Sequence, residues 1–263
     1  MRDHEHDVAK HMSTTRIAVI GDSYAAALEV PLDRTFWSLL PKRLAGCGGT
    51  VEVLNFGVPA YGTAQEYLLL RDRALRYRPD LVLLVMTLGN DLENNRRSLE
   101  PVQERPFEVL EPSGGVRWDD TYRRTLTPGR LAAWRAFGLG VDNSRVLQLL
   151  HDARARYLAG QRLPPSLRHL VPPRDTAWAA AWHITEALVA AIDTLARRAG
   201  ARLLVVSVSS PQQVPPDSGV ARRLADSLDV PDLFVAERRL ETLGGPTVFR
   251  FFRWRRHSRG MRP

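Results

Sequence analysis

Four short runs rich in Val, Leu and Ile constrain the fold of this 263-residue chain more than any other feature. They are "RIAVI" at 16–20, "VEVLN" at 51–55, "LVLLVM" at 81–86 and "RLLVVSV" at 202–208. Consecutive apolar positions are typical of strands that are buried on both faces of a parallel sheet. Helical patterns lie between them, over 35–44, 63–77 and 177–198. This alternation predicts an α/β fold, namely a three-layer α/β/α sandwich with a central parallel sheet.

Weaker signals complete the predicted organisation. The segment "DLFVA" at 232–236 predicts a fifth strand, after a helix near 220–228. Between about 93 and 176 the alternation lapses: "PFEVLEPSGGVRW" predicts a hairpin over 106–118, and a helix is expected near 144–158. We interpret 93–176 as an insertion above the strand ends, within a single domain at 16–249. Residues 1–15 form a polar leader that we expect to be mobile, and 250–263 form a basic tail.

Charge and composition exclude several classes of protein. The net charge is +8, but six of the 37 basic residues lie in 250–263, which holds no acid, so the rest of the chain is nearly neutral. No specific nucleic-acid motif accompanies the tail. The single cysteine, Cys47, excludes a disulfide framework and a cysteine-built metal site. No run is long enough to span a membrane, and we expect a cytoplasmic protein.

Polar or small residues follow three of the predicted strands. They are "GDS" with Ser23, "NFGVPAYG" with Gly57, and "GND" with Asn90. The carboxyl ends of parallel strands share one edge of a sheet, so these residues are expected to converge there. Taken alone, Ser23 has two possible roles, as the cap of the following helix or as a nucleophile.

In their order and spacing these blocks closely resemble those of the SGNH (GDSL-type) hydrolase superfamily, over about 16–95 and more loosely at 202–208. The resemblance implies the SGNH-hydrolase fold, which is flavodoxin-like, and an esterase that needs no cofactor or metal. It makes Ser23 Oγ the nucleophile, with the backbone N–H groups of Ser23 and Gly57 and the Asn90 side-chain amide as oxyanion donors. At Gly57, the missing side chain is expected to let the substrate approach the backbone. Asp22 and Asp91 are expected to brace their turns by backbone hydrogen bonds.

The chain departs from this family where the fourth block is expected. That block carries an aspartate three residues before the histidine that serves as base. Here "GGPTVF" is followed by "RFFRWRRHSRGMRP", in which Trp254 stands three residues before His257. An ending altered by truncation or a shifted reading frame and a genuine basic tail are the two explanations. Of the other histidines, His183 is expected to be an ordinary core or surface residue, and His151 and His169 are expected at the surface.

The sequence therefore predicts a serine ester hydrolase of the SGNH type. Its substrate is expected to be an acyl ester of a small molecule or carbohydrate, or of a lipid, with acetyl as one example of the acyl group. The first alternative is a catalytically impaired member that binds such a ligand without turning it over. The second is an interaction protein whose tail binds anions.

Overall fold

The computed structural model describes residues 5–243, except 48, 101–104, 111–115, 120, 126, 130–131, 134, 137–143, 150–164 and 215–216. The basic tail, His257 and His151 therefore lie outside the described residues.

The strands at 16–20, 51–55, 81–86 and 202–208 are confirmed, and they form one parallel sheet in the order β2-β1-β3-β6. A separate antiparallel pair, β4 and β5, confirms the hairpin predicted over 106–118. The strands are β1 Thr14–Gly21, β2 Thr50–Asn55, β3 Leu81–Met86, β4 Phe107–Leu110, β5 Val116–Asp119 and β6 Arg202–Ser207.

Helices fill most of the segments between these strands. They are α1 Ser23–Ala26, α2 Phe36–Leu44, α3 Thr63–Asp72, α4 Leu88–Asn94, α5 Tyr122–Thr125, α6 Pro165–Arg168, α7 Thr176–Arg198, α8 Ser218–Leu228 and α9 Val235–Leu243. Short 3₁₀ turns cover Leu32–Arg34, Ala45–Cys47 and Ala74–Tyr77. Of the helix predicted near 144–158, residues 145–149 are helical and the part from 150 onward is not described.

Apolar side chains of β1 alternate between two cores, because successive side chains of a strand point to opposite faces. Ala18 and Ile20 belong to one core, with Trp178 and Trp182 of α7. On the opposite face, Ile17, Val19, Val53 and Val85 pack with Trp37 of α2. Helices therefore cover both faces of the sheet, and the predicted three-layer α/β/α sandwich is confirmed.

The prediction of a strand at 232–236 is wrong. Residues 232–234 precede α9, and Val235 and Ala236 are its first two residues. The Phe234 N–H donates to Asp232 Oδ1 at 2.7 Å, a local turn that precedes the helix. The residues that follow, "AERRLETL", are mostly strong helix formers. Their propensity outweighs the short apolar run on which the strand prediction depended.

The described part of the leader contacts the sheet. Its anchor is Arg16 at the start of β1, which is only 1% exposed. The Arg16 guanidinium donates to the backbone carbonyls of Asp7 and Val8, and its Nε donates to Glu52 Oε2 at 2.7 Å. His6, also buried, shares a 2.8 Å hydrogen bond with Glu52. Residues 6–10 thus satisfy a buried charge at the amino-terminal ends of the strands, and β1 already begins at Thr14.

Among the described residues, no helix combines the length and the apolar character that crossing a membrane requires.

Candidate active site

The carboxyl ends of β2, β1 and β3 lie side by side. In the sheet register Val19 pairs with Asn55, and Gly21 pairs with Val85. The segments that follow these strands carry Gly57 in a loop, Ser23 at the start of α1 and Asn90 in α4 respectively. The topology therefore brings the three predicted site residues to one edge of the sheet.

The turn that carries Ser23 is closely packed. A Cβ at Gly21 would lie 2.6 Å from Ala25 Cβ and 2.8 Å from the Val85 carbonyl oxygen, so only glycine fits there. Asp22 is fully buried and caps α1, because its Oδ1 accepts the Tyr24 N–H at 2.9 Å. The cap is thus Asp22 rather than Ser23, which leaves the serine hydroxyl available as the first side chain of α1. In the described part of the chain, Ser23 Oγ has no hydrogen-bond partner.

Asn90 is joined directly to this turn. Its Nδ2 donates to Asp22 Oδ2 at 2.9 Å. An amide nitrogen carries two hydrogens, so one N–H remains for a ligand after this bond is made. Asn90 is half-buried in the first turn of α4. The Ser23 and Asn90 blocks are therefore held together through one buried carboxylate.

Gly57 has surroundings that differ from the expectation. A Cβ there would lie 2.5 Å from Ala26 N and 2.7 Å from the Ala25 carbonyl carbon. The missing side chain thus makes room for α1, and the approach of substrate to the Gly57 backbone stays a prediction. The Gly57 N–H donates to Asn55 Oδ1 at 2.8 Å, so in this structure the N–H already has an acceptor.

A residue of the insertion, Arg105, bonds to the loop after Gly57. Tyr61 N donates to Val58 O at 3.2 Å, which closes a turn with Ala60 at its third position and a φ of 64°. Arg105 Nη2 donates to the Ala60 carbonyl at 2.8 Å, and its Nη1 lies 3.0 Å from Glu100 Oε2. The start of the insertion therefore fixes the turn beside the candidate site.

Three buried acids lie beneath the site. Asp91 Oδ2 accepts the Thr87 N–H at 2.7 Å, and this bond, with the cap made by Asp22, confirms the expected bracing role of both aspartates. The third acid, Glu66 of α3, is fully buried, and neither of its carboxyl oxygens has a hydrogen-bond partner among the described residues.

Burial, together with the neighbouring Asp91 and Asp22, raises the pKa of Glu66 well above its usual range. Burial and Asp22 likewise raise the pKa of Asp91. The two oxygens of Asp22 accept from Tyr24 and Asn90. The raised pKa values of Glu66 and Asp91 favour the protonated form of both buried acids.

Sequence reasoning missed Glu66, although a signal was present. Glu66 stands three residues after Thr63 and four before Leu70, and both of these are fully buried. This spacing places an acid on the inner face of α3.

His169 is buried, with only 3% of its surface exposed, so the prediction that it lies at the surface is wrong. Its ring packs on Gly89, where a Cβ would lie 3.5 Å from Cε1 and Nδ1. Burial lowers the pKa of His169 to about 4, so the imidazole is neutral at pH 7. The neutral His169 ring packs against Gly89, the residue before Asn90, and this packing supports the part of α4 that belongs to the site.

His183 lies on an exposed part of α7, within the range that we expected for it, and its Nδ1 is 3.6 Å from Glu186 Oε2. Among the residues that the structure describes, no group of three or more His, Cys, Asp or Glu side chains is arranged to hold a metal ion.

Comparisons with known proteins were made for the whole chain. The sequence model of the GDSL-like lipase/acylhydrolase family matches residues 19–232. No curated protein matches the chain.

Several solved structures resemble the chain at low sequence identity. The crystal structure of TesA is 17% identical, with 82% of this chain and 76% of that chain covered and a TM-score of 0.37. AlinE4, an SGNH-hydrolase family esterase, is 14% identical over 90% of this chain and 86% of its own, with a TM-score of 0.37. The lipase Lip_vut3 from goat rumen metagenome is 12% identical over 90% and 79%, with a TM-score of 0.38.

Proposed function

Because the chain belongs to the GDSL-like lipase/acylhydrolase family, we propose that it is a serine ester hydrolase with Ser23 as its nucleophile. Its reaction removes an O-acyl group from a carbohydrate or lipid through an acyl-serine intermediate. The reaction uses no metal or organic cofactor.

The proposed reaction has two halves. Ser23 Oγ attacks the ester carbonyl carbon and loses its proton, and the alcohol departs with a proton when the carbon–oxygen bond breaks. Water then adds to the acyl-serine, which releases the carboxylic acid and restores the hydroxyl. Each half passes through a tetrahedral oxyanion, which needs hydrogen-bond donors fixed in advance.

Two of the proposed donors belong to the Ser23 turn or are bonded to it. The Ser23 N–H lies at the start of α1, and the Asn90 amide is held 2.9 Å from Asp22 Oδ2. The third, the Gly57 N–H, acts as a donor only when it shares its hydrogen with Asn55 or when the Asn55 side chain turns away. Removing one such donor costs roughly a hundredfold to a thousandfold in turnover.

The hydrogen bond between Asn90 and Asp22 is the observation that carries this proposal. It connects the residue next to the serine with the first turn of α4, 68 positions later in the chain. A helix cap alone needs no such partner, since Asp22 Oδ1 already accepts the Tyr24 N–H. The second bond supports the proposal, because it holds the Asn90 amide against the residue that precedes the serine, and an oxyanion site needs donors that are held in advance.

One sequence observation favours a second candidate function, a protein that binds the ester without turning it over. No acid stands three residues before His257. Loss of the base alone lowers turnover by about a millionfold in a well-studied serine hydrolase. The buried His169 does not replace the absent block, because a pKa of about 4 makes it a weak base.

Hydrolysis of an activated acetyl ester by the native protein and by Ser23→Ala and Asn90→Ala separates the two functions. An active hydrolase loses its activity with Ser23→Ala and falls roughly a hundredfold or more with Asn90→Ala. Rates that are equal in all three proteins contradict the hydrolase. Thermal unfolding of each variant shows whether a loss of activity comes from the site or from the fold.

A further inference from the structure

The edge of the sheet where the strands begin, opposite the edge that carries Ser23, has a basic surface. Four arginine side chains are exposed there, and none of them has an ion pair or a hydrogen bond within the part of the chain that the structure describes: Arg76, Arg78, Arg198 and Arg202. We call these four residues the basic edge. Arg76 and Arg78 precede β3, Arg198 ends α7, and Arg202 begins β6. The proposed reaction gives these charges no role.

Backbone contacts hold these arginines close to one another. The Arg202 N–H donates to the Asp80 carbonyl at 2.9 Å, which joins the start of β6 to the start of β3. Arg78 lies two residues before Asp80, and Arg198 lies four residues before Arg202. Neighbouring strands of a sheet lie about 4.8 Å apart, so the starts of β1, β3 and β6 span roughly 10 Å. The positive charges therefore form one patch at this edge of the sheet.

Acids that are close to these arginines in the chain do not neutralise the patch. Three of them are bonded to other basic side chains, namely Asp72 to Arg71, Asp80 to Lys10 and Asp193 to Arg197. The helix dipole accounts for Arg198, because a cation is favoured near the carboxyl end of α7. It does not account for Arg202, which lies in a strand. The basic edge is therefore available to an anionic partner.

The leader adds exposed apolar side chains to the same edge. Arg16 Nη1 donates to Tyr77 O at 2.6 Å and to Val8 O at 3.2 Å, so the leader passes beside the 3₁₀ turn that carries Arg76. Val8 is 52% exposed, and Met12, two residues before β1, is 95% exposed. Apolar side chains that project beside basic ones are typical of proteins that bind the interface of a bilayer.

A bilayer that contains anionic lipids fits this combination better than nucleic acid does. A basic residue close to such a bilayer raises the affinity about fivefold, and an apolar side chain gains further by entering the lipid interface. Single-stranded nucleic acid is bound by aromatic rings on which its bases stack. Tyr77, an aromatic residue of this edge, is half-buried, and its ring lies 5.6 Å from the Phe56 ring. Met12 finds no apolar phase on a phosphate backbone.

We propose that the basic edge binds the surface of an anionic lipid bilayer, with its four arginines on the headgroups and Met12 in the interface. All four strands of the sheet are parallel, so Ser23 lies at the opposite edge. The bound protein therefore turns its proposed active site towards the aqueous phase. This binding does not depend on hydrolysis by Ser23.

Sedimentation of the full chain with lipid vesicles tests the proposal. We expect binding to vesicles of mixed phosphatidylcholine and phosphatidylglycerol, weakening as salt is added, and no binding to vesicles of phosphatidylcholine alone. Replacing Arg78 and Arg202 together by Gln is expected to weaken binding roughly 25-fold. The matched control replaces Arg222 and Arg223 of α8, which are 79% and 72% exposed, by Gln and is expected to leave binding unchanged. The basic tail is the same in all of these proteins, so its charges contribute equally.

Met12→Ser separates a bilayer from other polyanions. We expect it to weaken binding to the mixed vesicles several-fold, whereas Val220→Ser, at a 45% exposed position of α8, has no effect. Thermal unfolding shows that each variant is folded. Absence of vesicle binding overturns the proposal, and so does vesicle binding that the arginine substitutions leave unchanged. Binding that depends on Arg78 and Arg202 but not on Met12, or that occurs with duplex DNA and not with vesicles, also overturns it, because phosphate contacts alone then account for the basic edge.

Discussion

Ala60 holds a left-handed backbone, with a φ of 64°, at the third position of the turn that begins at Val58. That position of a type II turn favours glycine, since an L-residue there brings its Cβ too close to a carbonyl oxygen. Pro59, which sets φ for the second position, and the Arg105 bond to the Ala60 carbonyl both support the turn. Pro59 and Arg105 thus stabilise the strained backbone conformation of Ala60.

We predict that Ala60→Gly raises the free energy of unfolding by roughly 0.5–1 kcal/mol. Relief of the left-handed strain exceeds the added flexibility of the unfolded chain. Urea unfolding of both proteins measures the change. The control Ala190→Gly, at an exposed position within α7, is expected to be destabilised by about 1 kcal/mol. Destabilisation of Ala60→Gly by a similar amount contradicts the strain argument.

The lowered pKa of the buried His169 makes the free energy of unfolding depend on pH. Its pKa is about 4 in the folded chain against about 6.5 when unfolded, so the unfolded chain takes up the proton first as pH falls. Its stabilising effect is fully present above about pH 6.5 and is lost progressively towards pH 4, by about 3 kcal/mol in total.

We expect His169→Phe to flatten the stability curve between those two pH values, because phenylalanine does not titrate. Urea unfolding at several pH values measures this, with His183→Phe at the exposed α7 position as the matched control. An unchanged slope in His169→Phe, equal to that of the control, means that the buried imidazole is not its source.

At the scale of elements, α3 and α4 meet beneath the site through Glu66 and Asp91. Burial and the neighbouring carboxyl groups raise the pKa of both acids, which favours their protonated forms in the folded chain. Because the folded chain holds the proton of Glu66 above the pH at which the unfolded chain releases it, stability falls as pH rises from about 4.3.

We predict that Glu66→Gln becomes progressively more stable than the native protein as pH rises above about 4.3. Glutamine stays neutral at every pH, whereas the titration of Asp91 still contributes to the slope. Thermal unfolding across pH 4 to 8 measures the difference, with the exposed Glu241→Gln as control. A difference that stays constant with pH contradicts a protonated Glu66.

There are physical reasons why some elements were predicted correctly from the sequence and one was not. The four sheet strands are apolar at consecutive positions because both of their faces are covered, and this pattern is visible locally. In contrast, the strand expected at 232–236 is short enough for the helix formers after it to decide the structure. The spacing of the GDS and GND blocks located Ser23 and Asn90 at one edge. The acceptor of the Gly57 N–H depends on how the Asn55 side chain turns, which spacing does not determine.

Burial of polar residues was the hardest property to predict. Neither Glu66 nor His169 is close in sequence to the acids or glycine that it faces in the fold. The leader is another case, since its polar residues pack only because Arg16 needs carbonyl and carboxylate partners. Such contacts depend on tertiary structure, and local composition does not report them.

At the scale of the whole molecule, the chain combines a family match over residues 19–232 with a basic segment, 244–263, that contains no Asp or Glu. The sheet edge, the capped turn and the Asn90–Asp22 bond are all present. Whether Ser23 is activated therefore decides between a hydrolase and a binding protein. Reaction with an electrophile measures that activation independently of any ester substrate.

The most direct test is labelling of the full chain with an alkyl fluorophosphonate, followed by mass spectrometry of the peptide that contains Ser23. The phosphorus bonds to the serine oxygen of an activated nucleophile, and fluoride leaves with the proton as hydrogen fluoride. We predict one adduct, located at Ser23 and absent from Ser23→Ala and from the unfolded protein. A folded protein that remains unlabelled, or that is labelled elsewhere, contradicts the assignment of Ser23 as the nucleophile.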